Sequence, residues 1–417
     1  MKKNLKLLVC ILIFFPGLSL WGADIGLILD QTTEYSGSEN NGIFDFGRDD
    51  TFGKSDALEY SGALIPWFSA PSGDNGNFYF SASVRADWKK ETMSYLPELL
   101  RTEYTWHAEN GEVKAGRIKY TDPLGFIADG LFDGAYFSLD LGGGTASMGV
   151  WYTGLLYKER ANITMTQEEL QSFNTAVDYE KFTDTYFAPR RVVSALEWEH
   201  LGLAEQAQLK LSLLGQFDLT QETNLNSQYF TGKISVPVVD LVVDLGGCLE
   251  MIEYSNEYKI AMAGELKFAW MFEITRLTLS GRYSGGTPKK NDSLITSFLP
   301  LSTVYQGDIL KAKLSGLSIV SLDYLCRLHR AFSVDLAASC FMRDDLGTYN
   351  GYPVIVSGNN NDNHILGTEL FGRFFWAPVS DIQINMGGGA FLPAMGNVAR
   401  DVPFLWRVEM NFILVLY

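Results

Sequence analysis

The chain has 417 residues, and its 49 acidic and 33 basic residues give it a formal net charge of −16. This excess of acidic residues argues against nucleic acid or an acidic membrane surface as a partner. Hydrophobic residues make up 47% of the sequence. After residue 23, however, no apolar run approaches the roughly 18 to 20 residues that a membrane-spanning helix needs.

Residues 1–23 have the pattern of an export signal. Lysines open the segment, an apolar stretch runs from Leu7 to Leu20, and the small residues Gly22 and Ala23 precede residue 24. We therefore expect residues 1–23 to be a signal peptide and residues 24–417 to form one β-barrel domain. Loss of the three lysines would change the net charge from −16 to −19.

Beyond residue 23, apolar and polar side chains alternate along the chain, as in strands that have one apolar face. Phe80 and Val84, for example, alternate with Ser81 and Arg85. The pattern predicts eighteen strands, and no change in composition divides them into domains. The predicted strands are 24–31, 57–68, 77–88, 99–109, 112–120, 134–141, 145–157, 189–200, 205–217, 228–237, 239–253, 258–271, 273–284, 309–326, 330–343, 364–377, 380–392 and 404–417.

The predicted connections between strands fall into two classes. Those after even-numbered strands are mostly short, such as Asn110-Gly111, whereas the others are mostly long and polar, such as 158–188 and 285–308. Outer-membrane barrels have short periplasmic turns and long extracellular loops. The sequence therefore predicts an all-β fold: a single transmembrane antiparallel β-barrel of about 18 strands, with 16 as the alternative count.

The charged side chains fall on the polar face of these strands. A charge that faces hydrocarbon near the membrane midplane costs about 2 to 4 kcal/mol, so these groups must meet water or each other. Barrels of about sixteen or more strands are too wide for side chains to fill, which favours a pore over a closed barrel of paired charges. The predicted pore-lining residues are Arg85, Arg101, Glu103, Arg117, Lys119, Lys210, Lys267, Arg276, Arg282, Arg343, Arg373 and Arg407.

The final strand, 404–417, ends on an aromatic residue, Tyr417. A terminal aromatic residue in such a strand resembles the assembly signal of bacterial outer-membrane proteins. We therefore expect the barrel-assembly machinery and outer-membrane lipid to be partners of this chain. The expected location is the outer membrane of a diderm bacterium, reached after export.

The stretch AGRIKYTDPLGFIADGLFDGAYF, residues 115–137, resembles the alginate-export family of outer-membrane porins. The match consists of Gly116, Arg117, Asp122, Pro123, Leu131, Asp133 and Gly134. The resemblance implies an eighteen-stranded monomeric channel with an electropositive constriction that passes anionic sugars or other small anions. By position, it implies that Arg117 lines the pore and that Asp122 and Asp133 shape an inward constriction loop. The inward charges of this chain are close to balanced in sign, which departs from that pattern.

We expect the protein to be an outer-membrane porin that passes small polar or charged solutes, including anionic or sugar-like ones, by passive diffusion. The alternative is a barrel adhesin or structural protein that acts through its long loops, 158–188 foremost. An energised transporter or a gated barrel for hydrophobic compounds would need a plug, and residues 32–56 are too few for one.

No catalytic or cofactor motif rises above background, so we expect no enzyme, no cofactor and no metal site. Ser194 and His200 share a strand face but are too far apart to pair as in a barrel lipase. Oxygen-rich residues 358–364 are typical of a polar surface loop and lack the bidentate Glu of a calcium loop. Cys326 and Cys340 flank a predicted turn, where we interpret them as small apolar residues.

Overall fold

The structure is a computed structural model of the chain. It describes residues 22–37, 57–89, 92–203, 206–220, 225–254, 257–286, 294–344, 348–349, 352–353, 364–393 and 405–417. Most of the predicted signal peptide and nearly all of the oxygen-rich loop 358–364 lie outside these residues.

Eighteen strands form one closed antiparallel barrel, because the first strand pairs with both the second and the last. A separate two-residue hairpin forms β16 (Thr348–Tyr349) and β17 (Tyr352–Pro353). The barrel strands are β1 (Asp24–Gly37), β2 (Ala57–Ser72), β3 (Gly76–Lys89), β4 (Thr92–Ala108), β5 (Gly111–Thr121), β6 (Asp129–Asp140), β7 (Gly144–Tyr152), β8 (Arg191–Leu203), β9 (Ala207–Asp218), β10 (Leu225–Val238), β11 (Leu241–Tyr254), β12 (Glu257–Met271), β13 (Thr275–Ser284), β14 (Leu317–His329), β15 (Phe332–Arg343), β18 (Ile365–Val379), β19 (Ile382–Pro393) and β20 (Leu405–Leu416).

The predicted strand count of eighteen is confirmed, and so is the alternation of connections. At one end of the barrel, which we call the turn end, two or three residues join each pair of strands, as at 73–75, 109–110 and 141–143. The other end, which we call the loop end, carries long connections such as 153–190 and 285–316. One turn places Val239 at a positive φ of 54°.

Side chains alternate between the outside and the lumen of the barrel. On β3, Val84 is exposed on the outer surface, whereas its neighbours Ser83 and Asp87 are buried on the inner face. On β11, Leu245 and Leu249 are exposed outside and Asp244 is buried inside. The apolar face therefore points outward and the polar face inward. Among the described residues, no helix is long and apolar enough to cross a membrane.

The distal half of the β5–β6 hairpin leaves the barrel wall and enters the lumen. Beyond Gly116 and Gly134, which pair with each other, these two strands pair almost only with one another. Gly116 has a φ of +114°, and a Cβ on either glycine would lie 2.0 Å from a carbonyl oxygen of the next strand. Only glycine fits this bend without displacement of the backbone.

Two predicted strands extend at one end by five or more residues beyond the observed ones. The predicted strand 145–157 ends at Tyr152, because Thr153 bonds across to the backbone of Pro189 and Arg191 and starts the connection there. The predicted strand 309–326 begins only at Leu317, because a side chain of β18 binds the backbone amides before it. Cys326 pairs with Val334 and Cys340 with Val320, so the two cysteines are not opposite each other, and both are free thiols.

Candidate functional site

Three segments from the loop end fold into the lumen. The first inward segment is residues 122–128, the tip of the β5–β6 hairpin. The carboxylate of Asp122 accepts hydrogen bonds from the backbone amides of Leu124, Gly125, Ile127 and Ala128 at 2.8 to 3.1 Å. These four bonds hold the turn closed. Burial nevertheless raises the pKa of Asp122 above its ordinary value.

The tip of the first inward segment reaches the far wall of the barrel. Leu124 packs into the space left by Gly246 on β11, where a Cβ would lie 2.3 Å from the leucine methyl carbon. The guanidinium carbon of Arg282 on β13 lies 4.9 Å from the ring centre of Phe126. The segment therefore spans from β5 and β6 to β11 and β13 and narrows the lumen.

The second inward segment, residues 153–190, contains short helices: α1 (Lys158–Ala161), α2 (Gln167–Asn174), a 3₁₀ turn (Tyr179–Lys181) and α3 (Phe182–Tyr186). Helix α2 begins with a capping box in which Thr166 and Glu169 bind each other's backbone. Arg160 of α1 makes two hydrogen bonds to the carboxylate of Glu98 on β4, and the Tyr186 hydroxyl donates to the Pro97 carbonyl at 2.7 Å. These contacts anchor the segment to β4.

The third inward segment, which comprises the described residues 294–316, is held by the barrel wall on both sides. Glu369 on β18 accepts hydrogen bonds from the backbone amides of Asp308, Ile309 and Leu310 at 2.5 to 3.1 Å. Opposite, the Leu299 amide donates to Glu250 on β11 at 2.8 Å. A wall carboxylate thus satisfies amides that a β-strand would otherwise pair, which explains why residues 309–316 are not a strand.

The three inward segments also bind one another. The Ser302 amide donates to the Ile127 carbonyl at 3.0 Å, and the Thr303 amide donates to the Asn162 carbonyl at 2.9 Å. Lys313 Nζ donates to the Thr164 carbonyl at 3.1 Å. Burial lowers the pKa of Lys313 to about 8. The segments therefore form one interlocked body inside the barrel rather than three separate loops.

This body packs on several parts of the wall, among them Phe341, Phe371 and Phe391 of β15, β18 and β19. Its largest run of neighbouring strands is the loop-end half of β8 to β12, which we call the packed wall. Its inward residues join the buried hydrophobic core together with Phe126, Phe298 and Leu301 of the inward segments. The packed-wall members of that core are Val193, Ala195, Leu214, Leu225, Tyr229, Cys248, Ile252, Ala261 and Ala263.

A second part of the wall, β1 to β4, carries charges instead, and we call it the charged wall. Strands β1, β2 and β3 contribute nothing to the buried hydrophobic side chains of the described residues. Arg85 binds Asp87 at 2.9 Å and Glu159 of the second segment at 3.0 Å, and Arg101 binds Glu103 at 2.7 Å. Charged groups line this side of the lumen in pairs.

In most of these luminal pairs, the basic group is more exposed than its partner. The Arg101 side chain is 43% exposed and that of Glu103 4%; the values are 44% and 3% for Arg160 and Glu98. Lys267 on β12 is likewise more exposed than its partner Asp244 on β11, in the turn-end half of both strands. Arg407 is an exception, since Glu409 and Glu34 are more exposed than it is. In the pairs that follow this order, water in the lumen meets the basic group more than its carboxylate partner.

The predicted pore-lining residues occupy different places. Arg85, Arg101, Glu103, Lys210, Lys267, Arg282, Arg373 and Arg407 lie on inward positions, each in an ion pair. Lys119 binds Asp129 at 2.6 Å on the first inward hairpin and is exposed. Arg276 is exposed near the turn end, whereas Arg343 is buried at the loop end of β15.

Arg117 and Asp133, singled out by the resemblance, bind each other. Arg117 makes two hydrogen bonds to Asp133, at 2.7 and 2.8 Å, and donates to the carbonyls of Leu99 and Leu155. Its side chain is only 6% exposed. Arg117 thus connects the inward hairpin to β4 and to the second segment.

Several luminal residues could not be identified from the sequence pattern. Asp308 binds Arg373 and accepts from Arg407 through its carbonyl, and Arg160 binds Glu98. Asp308 and Arg160 lie in connections, where side-chain alternation gives no signal. The capping box at Thr166 and Glu169 is a pattern that the sequence does contain. Within the described residues, no group of three or more His, Cys, Asp or Glu side chains could hold a metal ion.

No protein-family model and no curated protein matches the sequence. Solved structures do match the fold. OccK2 (OpdF) of Pseudomonas aeruginosa, in complex with glucuronate, superposes with a TM-score of 0.61 at 12% identity and covers 94% of this chain and 98% of its own. OccK11 (OpdR) of the same organism gives 0.58 at 11% identity, covering 95% of this chain and 97% of its own.

The outer membrane protein OprD of Pseudomonas aeruginosa gives a TM-score of 0.56 at 10% identity, covering 94% of this chain and 94% of its own. These similarities show the eighteen-stranded barrel fold. They do not support the alginate-export family that residues 115–137 resemble.

Proposed function

We propose that the protein is an outer-membrane porin through which small anionic solutes diffuse passively. The observation that carries the proposal is the unequal exposure of the luminal ion pairs, in most of which the basic group is more exposed to the lumen than its carboxylate partner. Formal charges that nearly balance can still give a positive path, because a buried carboxylate orients its partner while solutes meet the cation.

The fold and its neighbours support the same proposal. The barrel is wide, and the inward segments fill part of its lumen while the charged wall stays open to water. This arrangement is typical of a selective channel. One structural neighbour, OccK2, is described in complex with glucuronate, and a small sugar acid is the class of solute that we propose for this chain. Export through residues 1–23 and assembly through the C-terminal strand complete the proposed route to the outer membrane of a diderm bacterium.

Planar-bilayer recording of the purified protein in a potassium chloride gradient tests the proposal. We expect channels whose reversal potential reports a preference for chloride. Replacement of Arg101 and Arg160, the two arginines paired with buried carboxylates, in R101Q/R160Q should lower the anion-to-cation permeability ratio by about twofold or more, because the carboxylates of Glu103 and Glu98 remain.

The matched control is R101K/R160K, which keeps both positive charges and should retain most of the anion preference. A silent bilayer would contradict the porin function and favour the adhesin alternative. A wild-type channel that prefers potassium would contradict the anionic solute class.

A further inference from the structure

Four neighbouring strands, β14, β15, β18 and β19, share an apolar groove of about 560 Å³. Its lining includes Leu322, Tyr324, Leu336, Leu370, Gly372 and Gly388. Gly372 lies between Phe371, which belongs to the buried core, and Arg373, which binds Asp308 of the third inward segment. Because side chains alternate along a strand, position 372 faces outward. The groove therefore lies on the surface of the barrel that meets lipid.

Two glycines form the floor of the groove. Gly372 pairs directly with Gly388 on β19 and with Leu336 on β15. The missing side chains at two adjacent positions leave a depression beside Leu336 and Leu370, both of which are exposed. A Cβ on Gly388 would meet no atom closer than 3.5 Å. The packing of the strands therefore does not require glycine at position 388.

Aromatic rings border the groove towards the turn end. Phe332 of β15 and Phe374 of β18 have ring centres 4.2 Å apart, and Phe332 pairs with the exposed Trp376. Such rings typically lie at the membrane–water interface. From Trp376 to Leu370 the strand advances about 20 Å, and at a tilt of about 45° this gives a depth of about 14 Å, roughly one leaflet of the bilayer. The groove therefore fits the leaflet at the turn end, which is the periplasmic one.

Basic residues flank the turn beside these rings. Arg327, His329 and Arg330 lie where β14 meets β15, and all three are exposed. His329 pairs with Phe332, which places the turn directly next to the aromatic border of the groove. Neither arginine forms an ion pair with a residue that the structure describes. Both guanidinium groups are therefore available to an anionic partner.

Other turns at the turn end have the opposite charge. Five of them contain an acidic residue and no basic one: Asp74, Glu109, Asp240, Glu273 and Asp381. Although the chain as a whole is acidic, its positive charge at this end is thus concentrated next to the groove. A local basic cluster at the membrane surface attracts anionic lipid headgroups.

We propose that the groove and the β14–β15 turn bind an anionic phospholipid of the periplasmic leaflet, with one acyl chain in the groove and the phosphate on Arg327 and Arg330. Arginine is well suited to phosphate because its donors can bind two oxygens at once. A second copy of this chain fits the surface less well, since a two-fold contact would bring two basic turns together. The site goes beyond the proposed function and does not depend on which solute crosses the lumen.

Native mass spectrometry tests the headgroup. The purified protein is mixed in detergent with equal amounts of phosphatidylglycerol and phosphatidylethanolamine that carry the same acyl chains. We expect the wild type to retain the anionic lipid about fivefold more than the zwitterionic one. R327Q/R330Q should bring this ratio close to one, whereas the matched control R327K/R330K should keep most of the preference. Equal retention of the two lipids by the wild type, or an unchanged ratio in R327Q/R330Q, would overturn the proposal.

A second pair of variants tests the groove. G388L fills its floor and should lower the retention of both lipids without changing their ratio. The matched control is G247L on β11, where a Cβ meets no atom closer than 3.9 Å and the neighbouring Gly246 faces inward. Equal retention in these two variants, or lipid-free wild-type dimers that G388L dissociates, would contradict a lipid in the groove. Channel recordings test the porin function separately, since none of these substitutions lies in the lumen.

Discussion

The packed wall and the charged wall are built from the same alternating pattern, yet one is covered and the other is lined by ion pairs. On β8 to β12, most inward residues of the loop-end half are small or apolar and contact the inward segments, and Arg191, Gln216 and Glu250 are buried among them. On β1 to β4, the inward face carries charged residues that are paired across short distances. Alternation therefore decides which side chains face inward, and the residue type decides whether they meet a folded segment or water.

This difference assigns separate tasks to the two walls. The packed wall holds the interlocked inward segments and so determines how far the lumen is narrowed. The charged wall supplies the electrostatics of the remaining path. Substitutions on the packed wall should consequently change stability and conductance, whereas those on the charged wall should change selectivity.

The largest effect is expected from F298A. Phe298 is fully buried where the third inward segment packs against the wall, and removal of a buried phenylalanine ring costs about 3 to 5 kcal/mol. We expect a lower melting temperature of the heat-modifiable band in electrophoresis and a larger single-channel conductance. The comparison is R101Q on the charged wall, where an exposed guanidinium is lost and about 1 kcal/mol or less is expected. Equal destabilisation by both would contradict the division of tasks.

A smaller effect is expected from G246V. The new side chain would collide with Leu124 and displace the tip of the first inward segment, at a cost of about 1 to 3 kcal/mol. The matched control is G247V, one residue further along, where a Cβ meets no atom closer than 3.9 Å. Urea unfolding of both variants, followed by tryptophan fluorescence, measures the difference. Indistinguishable midpoints would show that Leu124 does not pack against β11.

The smallest effect is a pH dependence carried by Lys313. Its pKa is lowered to about 8 by burial, from 10.5 in the unfolded chain. Between these values the unfolded state binds more protons, so stability should rise with pH from about 8 to 10.5. K313M should flatten that rise and change stability at neutral pH by about 1 kcal/mol or less, because the bond to Thr164 is lost as the buried charge is removed. The difference in unfolding midpoint between wild type and K313M, measured from pH 8 to pH 10.5, tests this pH dependence.

The barrel itself could be predicted because its rules are local. Each of the eighteen predicted strands overlaps an observed one, since alternation over ten residues and the turn residues between them depend only on neighbours in sequence. Gly116 and Gly134 could be singled out within residues 115–137, and they mark the bend of the inward hairpin.

The interior could not be predicted in the same way. The strand character of residues 309–316 is overridden by Glu369, a side chain some sixty positions later in the chain. Arg117 follows the strand pattern, but its donors are taken by Asp133 and by two distant carbonyls. Contacts of this kind depend on the three-dimensional arrangement of segments far apart in sequence, and residue type alone does not reveal them.

The strand β4 has a consequence for how the barrel opens. It pairs with β3 from Thr92 onward but with β5 only from Thr102, because β5 turns inward. Along residues 92–101, one edge is therefore sealed by side chains such as Tyr186 on the Pro97 carbonyl rather than by a strand. The amide protons on this edge should exchange with deuterated solvent before those of β11 and β12, which pair along their whole length. Local opening of the barrel wall should therefore begin between β4 and β5.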